Sequence, residues 1–584
     1  MELETFFEQF ELLADAPNGV QKLRELILQL AMRGKLTSDW RTQNSNVETA
    51  SYLIKRIEII RFQHLQGNTS KSRSQPHKGS SSTNSNEEIY QFFDIPKSWT
   101  WCKVEQIATV CLGGTPSREN PSYWGNDVPW VSSGEVANCR INGTNEYITF
   151  TGLANSSAKV YPKGTVLIAM IGQGKTRGQA AILDIDACTN QNVAALVFDA
   201  GNINSDYVWY WALSEYERTR SGSQGGAQPA LNGRKVRSLW LPLPPFEEQK
   251  HIVSKVEQLM ALCDELEARQ EKRHDRILQL GEVATSQLLT PSTPEAFNQH
   301  WQGICDNFDL LYSTPENVSQ LRQAILQLAV MGKLVPQDPN DEPASVLLEK
   351  IREEKTRLIK EGQIRKSEKL PPVEVEEMPF ELPLGWECVR FGELADLVSG
   401  VTKGRKLAGR KTASYPYLRV ANVQRGYLEL KVIKEIEIPV NELDKYRLQP
   451  GDVLLTEGGD WDKLGRTAIW KGEIEDCIHQ NHVFRARPLN EGLRSHWIAL
   501  YTNSRMGRSY FEEASKKTTN LASINMTQLR NCPIPVPPVL EQDRIISKVN
   551  HYFLLCDELE AKLTQSINDR EKLMEAGVRQ VLAA

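Results

Sequence analysis

The run Gly172-Gln173-Gly174-Lys175-Thr176 looks like the end of a phosphate-binding loop. Such a loop, G-x-x-x-x-G-K-[ST], wraps phosphate with backbone N–H groups, and its first glycine allows the tight turn. Ala169 stands at that position, inside the apolar run VLIAMIG, so a nucleoside triphosphatase site is not expected. An amino-methyltransferase needs a polar residue, two prolines and an aromatic residue in succession. Asn120-Pro121-Ser122-Tyr123 lacks the second proline, and Leu243-Pro244-Pro245-Phe246 lacks the polar residue. A nuclease needs clustered carboxylates with a lysine to support metal-assisted hydrolysis. Glu429 with Lys431 and Glu353 with Lys355 match that only loosely. Cys477, His479 and His482 have a spacing open to metal ligation, but no fourth donor is near. Aligned on the first half of the chain, those positions read Cys188, Asn190 and Val193, so polar loop contacts are preferred and no metal is expected. No catalytic residue is assigned.

What remains is a set of glycine-rich polar loops. In the first half they carry Thr115, Ser117, Gln173, Lys175, Thr176, Arg177, Gln191, Asn192 and Gln228. In the second half they carry Lys403, Arg405, Lys406, Arg419, Asn422, Lys463, Arg466, His479, Gln480, Lys516, Lys517 and Asn520. Arg and Lys bond guanine edges, Gln and Asn pair with adenine, and hydroxyls with backbone amides hold phosphates. Each residue alone could be ordinary hydrophilic surface. The set is stronger evidence for double-stranded DNA than any member.

The elements that must position these loops are written twice. LRELILQLAMRGKL at 23–36 returns as LRQAILQLAVMGKL at 321–334. IPKSWTWCKVEQIA at 95–108 returns as LPLGWECVRFGELA at 382–395, and LPLPPFEEQKHIVSKVEQLMALCDELEA at 241–268 as IPVPPVLEQDRIISKVNHYFLLCDELEA at 534–561. Other frame matches are Pro129 with Pro416, Gly164 with Gly451, Cys188 with Cys477 and Gln191 with Gln480. The long repeats are helical by period: Ile252, Val256, Leu259, Cys263 and Leu266 are spaced 4-3-4-3, as are Ile545, Val549, Tyr552, Cys556 and Leu559. Some 35–40 residues at ~1.5 Å each make a rod of roughly 50–60 Å. Two such rods are expected to pair as an antiparallel coiled-coil spacer; the alternative is an amphipathic helix lying on its own module's core. The shorter repeat is also helical and ends on Gly34 and Gly332.

The expected organisation is an N-terminal helical segment at 1–65, a linker at 66–89, a first recognition module at 90–245 and a spacer helix at 246–290. A connecting helical segment at 291–365, a linker at 366–378, a second module at 379–538 and a spacer helix at 539–584 complete the repeat. The fold class is α/β, with two strand-rich domains alternating with two long helices in a pseudo-two-fold internal repeat.

Composition narrows the class further. The 584 residues hold 69 Lys+Arg and 74 Asp+Glu, a net charge of −5, so charge alone does not announce nucleic-acid binding. No apolar run reaches the ~18–20 residues that span a bilayer. The acidic start lacks a secretion signal's basic and apolar regions, and ten cysteines without C-x-x-C pairs suit a reducing compartment. The expected location is the cytoplasm.

These repeats, with GGTPSRENPSYWGNDVPWVSSGEV at 113–136 and GQGKTRGQAAIL at 172–183, resemble the specificity subunits of type I restriction-modification systems. The resemblance spans nearly the whole chain. It implies two target recognition domains, each reading half of a bipartite, asymmetric DNA sequence, with the helices setting the gap. It also implies two modification (methyltransferase) subunits as partners, and optionally restriction subunits. S-adenosylmethionine and ATP with magnesium would sit on those partners, and no cofactor on this chain, which would itself be non-catalytic. Two other readings stay open: a helical scaffold with two protein- or peptide-binding modules, and a single-chain restriction enzyme.

Overall fold

The computed structural model describes residues 14–67, 93–172, 174–199, 201–221, 231–291, 293–366, 368–378, 380–459, 463–517 and 522–583. The expected linker at 66–89 therefore lies almost wholly outside the described residues. The chain forms two compact units. One runs up to Lys272 and is rejoined by the stretch from Ile567 onward; the other is Arg273–Ser566.

In the first unit, a five-stranded sheet runs in the order Thr109–Leu112, Val193–Val197, Val166–Ala169, Ala180–Leu183, Arg140–Ile141. All pairs are antiparallel except the last. Val166-Leu167-Ile168-Ala169 and Ala180-Ala181-Ile182-Leu183 are buried at every position, because both faces of this sheet are covered and alternation is not required. A second sheet orders Glu146–Ile148, Trp124–Val131 and Cys188–Thr189. Thr100–Lys103 pairs antiparallel with Trp240–Leu243 and ties the module's entry to its exit.

The second unit repeats the plan. A four-stranded sheet orders Ala395–Ser399, Val483–Pro488, Val453–Thr456 and Thr467–Ile469, and a three-stranded one orders Lys434–Pro439, Thr412–Leu418 and Ile478–His479. Glu387–Arg390 pairs with Pro533–Val536 as the closing ribbon. The stretch expected as a linker at 366–378 is tied to this module: Arg390 donates to the carbonyls of Pro371 and Pro372 and to Glu377 at 2.6 Å.

Each short repeat is a helix, Gly19–Met32 and Pro315–Val330. Gly34 and Gly332 follow them at φ 67 and 69°. A Cβ there would stand 2.7 Å from the Pro96 and Pro383 rings respectively, so both the backbone conformation and the close approach require glycine. The helices after them are Ala50–Gly67 and Ala344–Lys360.

The long helices are Phe246–Leu289 and Val539–Ala583, and the first turn of each carries the module joint. The Trp99 indole N–H donates to Glu248 at 2.9 Å, and Trp386 to Glu541 at 3.0 Å. The neighbouring glutamines span two elements. Gln249 donates to the Pro244 carbonyl and accepts from the Asn204 backbone; Gln542 donates to Pro537 and accepts from Arg494. All four of these Glu and Gln residues are buried.

The 4-3-4-3 residues behave differently from a simple two-helix seam. Ile252, Val256, Leu259 and Cys263 are buried, with Leu266 packed beside them, in a core shared with Leu23, Leu26, Ile27 and Leu30 of the first repeat helix. Ile545, Val549 and Cys556 are buried, with Tyr552 and Leu559 beside them, in a core holding Val318, Ile325 and Leu326 of the second. Each stripe thus packs on its own unit's short repeat helix, and residues of both long helices share a cluster in each unit: Cys263 with Met574, and Leu288 with Leu559. Within the first unit, Met574 and Val581 of the other long helix join that same core. Flanking ion pairs repeat too: Arg24 meets Asp264 and Glu267, and Arg322 meets Asp557 and Glu560.

Candidate nucleic-acid interface

In both modules the loops are gathered by the same close contact. Gly114 donates its backbone N–H to the Thr189 carbonyl at 2.8 Å, and Val401 does the same to His479 at 2.7 Å. A Cβ on Gly113 would lie 2.2 Å from the Thr189 oxygen, and one on Gly400 2.0 Å from the His479 oxygen, so the chains cross where only glycine fits. These bonds also correct the frame. Cys188 aligns with Ile478 and Asn190 with Gln480, since Trp130 and Tyr417 are their strand partners and Asn190 and Gln480 donate to Val131 and Leu418. The matches Cys188 with Cys477 and Gln191 with Gln480 are one residue out of register. Identical letters drew the alignment; the hydrogen bonds make Gln191 the equivalent of Asn481.

Around the first crossing, the Thr115 hydroxyl bonds the Gln191 side chain, and the Trp130 indole N–H donates to the Gly114 carbonyl at 3.0 Å. Asn192 lies alongside: its carbonyl accepts from Met170, and its N–H donates to the Asn190 side chain. Ser117, Lys175 and Gln191 are exposed and Thr176 is half-buried. Arg177 is only 6 % exposed, and Arg177 and Arg220 each donate to the other's carbonyl, so its charge serves the fold rather than a ligand at the surface. Gln173 and Gln228 lie outside the described residues. Arg118 is the residue that the sequence reading missed. Its guanidinium lies 3.8 Å from the Trp124 ring centre and pairs with Glu146, which fixes a cation on an aromatic shelf beside Thr115 and Ser117. The signal was the Arg followed by two tryptophans at 118, 124 and 130.

Around the second crossing, Lys403 and Lys406 are exposed, whereas Arg405 is half-buried and bonds Glu442 at 2.8 Å. Arg419 donates to the Val432 carbonyl, and Asn422 is buried, donating to the carbonyls of Glu429 and Val432. Asn422 therefore braces its loop. Arg466 bonds Gln424 at 2.7 Å; the Lys463 carbonyl accepts from the Thr456 hydroxyl. Lys516 and Lys517 form a short strand beside Ala522–Ser523, with their side chains outside the described residues, as is Asn520.

The histidines do not converge. His479 is fully buried with Nδ1 2.7 Å from the Val483 carbonyl oxygen, and burial pushes its pKa down to about 4. It is a neutral part of the core and unavailable to DNA. Exposed His482 pairs with Glu457 at 2.6 Å, and Cys477 is buried. Among the described residues no group of three His, Cys, Asp or Glu side chains is placed to hold a metal. Among them, too, no helix is long and apolar enough to cross a membrane.

Comparison with known proteins places this arrangement. The model of the type I restriction modification DNA specificity domain matches twice, over residues 96–273 and 383–569, once per module and long helix. The chain is 30% identical to the EcoEI specificity subunit of Escherichia coli, covering 96% of this chain and 93% of that one. It is 31% identical to the EcoAI specificity subunit of the same species, covering 94% and 92%. The solved HsdS subunit of Thermoanaerobacter tengcongensis aligns at 17% identity over 84% of this chain and 98% of its own, with a TM-score of 0.41. With its family domain present in duplicate and relatives matched almost end to end, the chain belongs to the type I restriction-modification specificity subunits.

Proposed function

We propose that this chain is the DNA-reading, non-catalytic subunit of a type I restriction-modification complex in the cytoplasm. Each module reads one half of a bipartite, asymmetric target, and the long helices set the gap between the halves. Two modification subunits carry S-adenosylmethionine and methylate adenine, and restriction subunits, where present, use ATP and magnesium. The observation that carries this is the duplication: one scaffold, one glycine crossing and one Trp–Glu joint occur twice, while the loops at each crossing differ. A shared scaffold with divergent polar loops suits two readers of different sequences joined so that the second contact is intramolecular. Phosphate contacts supply salt-sensitive affinity and base-edge contacts supply the choice of sequence.

Mapping adenine methylation across the host genome with and without the gene tests this. Loss of one bipartite motif on deletion is expected. An unchanged methylome, with no salt-dependent duplex binding by the purified complex, would favour a scaffold for protein partners instead.

A further inference from the structure

The two modules differ most sharply inside one strand. In the first, Ala195 and Val197 pair across to Cys111 and Thr109. In the second, the equivalent strand places Arg485 opposite Val398 and Arg487 opposite Asp396. The equivalence is fixed by the next strand over, where Ala195 pairs with Leu167 and Arg485 with Leu454. Nothing in the sheet itself requires these arginines, since the first module builds the same strand from small apolar residues.

Arg485 is 3 % exposed. One Nη donates to Asp396 at 2.5 Å and the other to the Lys445 carbonyl at 3.3 Å, while its Nε has no hydrogen-bond partner. Arg487 is gripped by both oxygens of Asp452 at 2.7 and 2.8 Å. The two guanidiniums line a cleft of about 900 Å³ between this strand pair and the end of the Ala344–Lys360 helix. Lys355 and Lys445 stand on its walls, and Arg365, Lys366 and Arg530 complete the cationic lining. Against these seven cations the lining holds Asp396 and Asp444, and Asp452 and Glu393 answer Arg487 and Lys355 from just outside it, leaving an excess of 7 − 4 = +3. Arg365, Lys366 and Arg530 make no ion pair among the described residues. A buried guanidinium with an unmet N–H beside uncompensated positive charge is costly until an anion arrives.

We propose that this cleft binds phosphate groups. The guanidinium fork matches paired phosphate oxygens, and lysines at the wall and rim add point charges around them. At one end the lining reaches Ser399, next to the Gly400 crossing and the loop carrying Lys403 and Lys406. The phosphates therefore come from one of two sources: the DNA backbone beside that module's half-site, or a free oligophosphate such as a nucleoside triphosphate. The first source rests on the proposed function; the second does not.

The test compares the full chain with an Arg365→Ala/Lys366→Ala/Arg530→Ala variant, and with Arg485→Gln as a second variant. Arg365 and Lys366 are exposed and Arg530 is half-buried, so the triple variant keeps its core. Calorimetric titration with inorganic tripolyphosphate reads the free-phosphate arm. Binding to a random-sequence duplex of about 30 base pairs across a salt series reads the backbone arm. The expected result is at least a tenfold loss of tripolyphosphate affinity, or a salt slope shallower by about 2–3, one counterion per lost contact. Whichever arm responds identifies the source. Tripolyphosphate affinity and salt slope that are the same in wild type and the triple variant would overturn the proposal. Loss of the methylation motif on gene deletion is unaffected by that outcome, so the two readings fail separately.

Discussion

The two modules share a frame and differ in what fills it. In the first, the central strand Val193-Ala194-Ala195-Leu196-Val197 sits in an apolar core with Leu167, Ala181 and Leu183. In the second, Val483-Phe484-Arg485-Ala486-Arg487 threads two arginines through the same place and answers them with Asp396 and Asp452. The joints differ in the opposite direction, with the ion pair in the first and a neutral amide in the second. Glu248 accepts from Trp99, Thr37 and Arg41, the last at 2.6 Å. At the second joint, Gln337 replaces Arg41 against the glycine carbonyl, and one oxygen of Glu541 has no hydrogen-bond partner. A duplicated fold thus keeps its backbone register while exchanging an apolar layer for a charged one, provided each buried charge brings its counter-charge.

The largest expected effect comes from breaking that provision. Asp452→Ala strips Arg487 of its carboxylate and should destabilise the second module by about 3–5 kcal/mol. The equivalent Thr165→Ala, which removes one bond to the Pro162 carbonyl, should cost about 1 kcal/mol. Denaturant unfolding followed by module-specific probes compares them.

The joints should part next. Glu248→Gln loses a charged partner of Arg41 and should cost about 1.5–3 kcal/mol. Glu541→Gln should cost little, because burial already holds the Glu541 carboxyl above its ordinary range. A carboxyl raised in the folded state favours folding most when protonated. That contribution is full below the unfolded value of about 4.3 and is lost as pH rises through the folded value. Stability of the second unit should therefore fall across that window in wild type and lose this component in Glu541→Gln.

Gly113→Ala and Gly400→Ala should act alike, each costing about 1–3 kcal/mol by forcing a Cβ against a carbonyl, and each weakening recognition of one half-site only. The smallest effect is the symmetric one. Arg24→Ala and Arg322→Ala remove exposed ion pairs to the long helices and should each change stability by no more than about 1 kcal/mol.

Much of the frame was legible because it is local or repeated. The 4-3-4-3 period announces Phe246–Leu289 and Val539–Ala583, and the Ala344–Lys360 helix shows in the spacing of Val346, Leu347 and Ile351. The helices' neighbours were less legible, since an apolar stripe reports that it will be buried and not by what. Both stripes found the short repeat helix and their own module. The candidate site was readable as loops but not residue by residue. Arg177 is buried against Arg220, more than forty residues on, while Asn422 and His479 turn inward onto carbonyls of their own loops, and a polar residue type does not show which way it will turn. The one-residue slip at Cys188 arises from distant strand pairing, for only the Trp130 and Tyr417 pairings reveal the register.

The most direct test of the account is adenine-methylation mapping in cells whose only copy carries Ser117→Ala, Lys175→Ala and Gln191→Ala in the first module. The account predicts that one half of the bipartite motif relaxes or changes while the other half and the gap persist. An unaltered motif, or both halves changing together, would contradict the assignment of one module to one half-site.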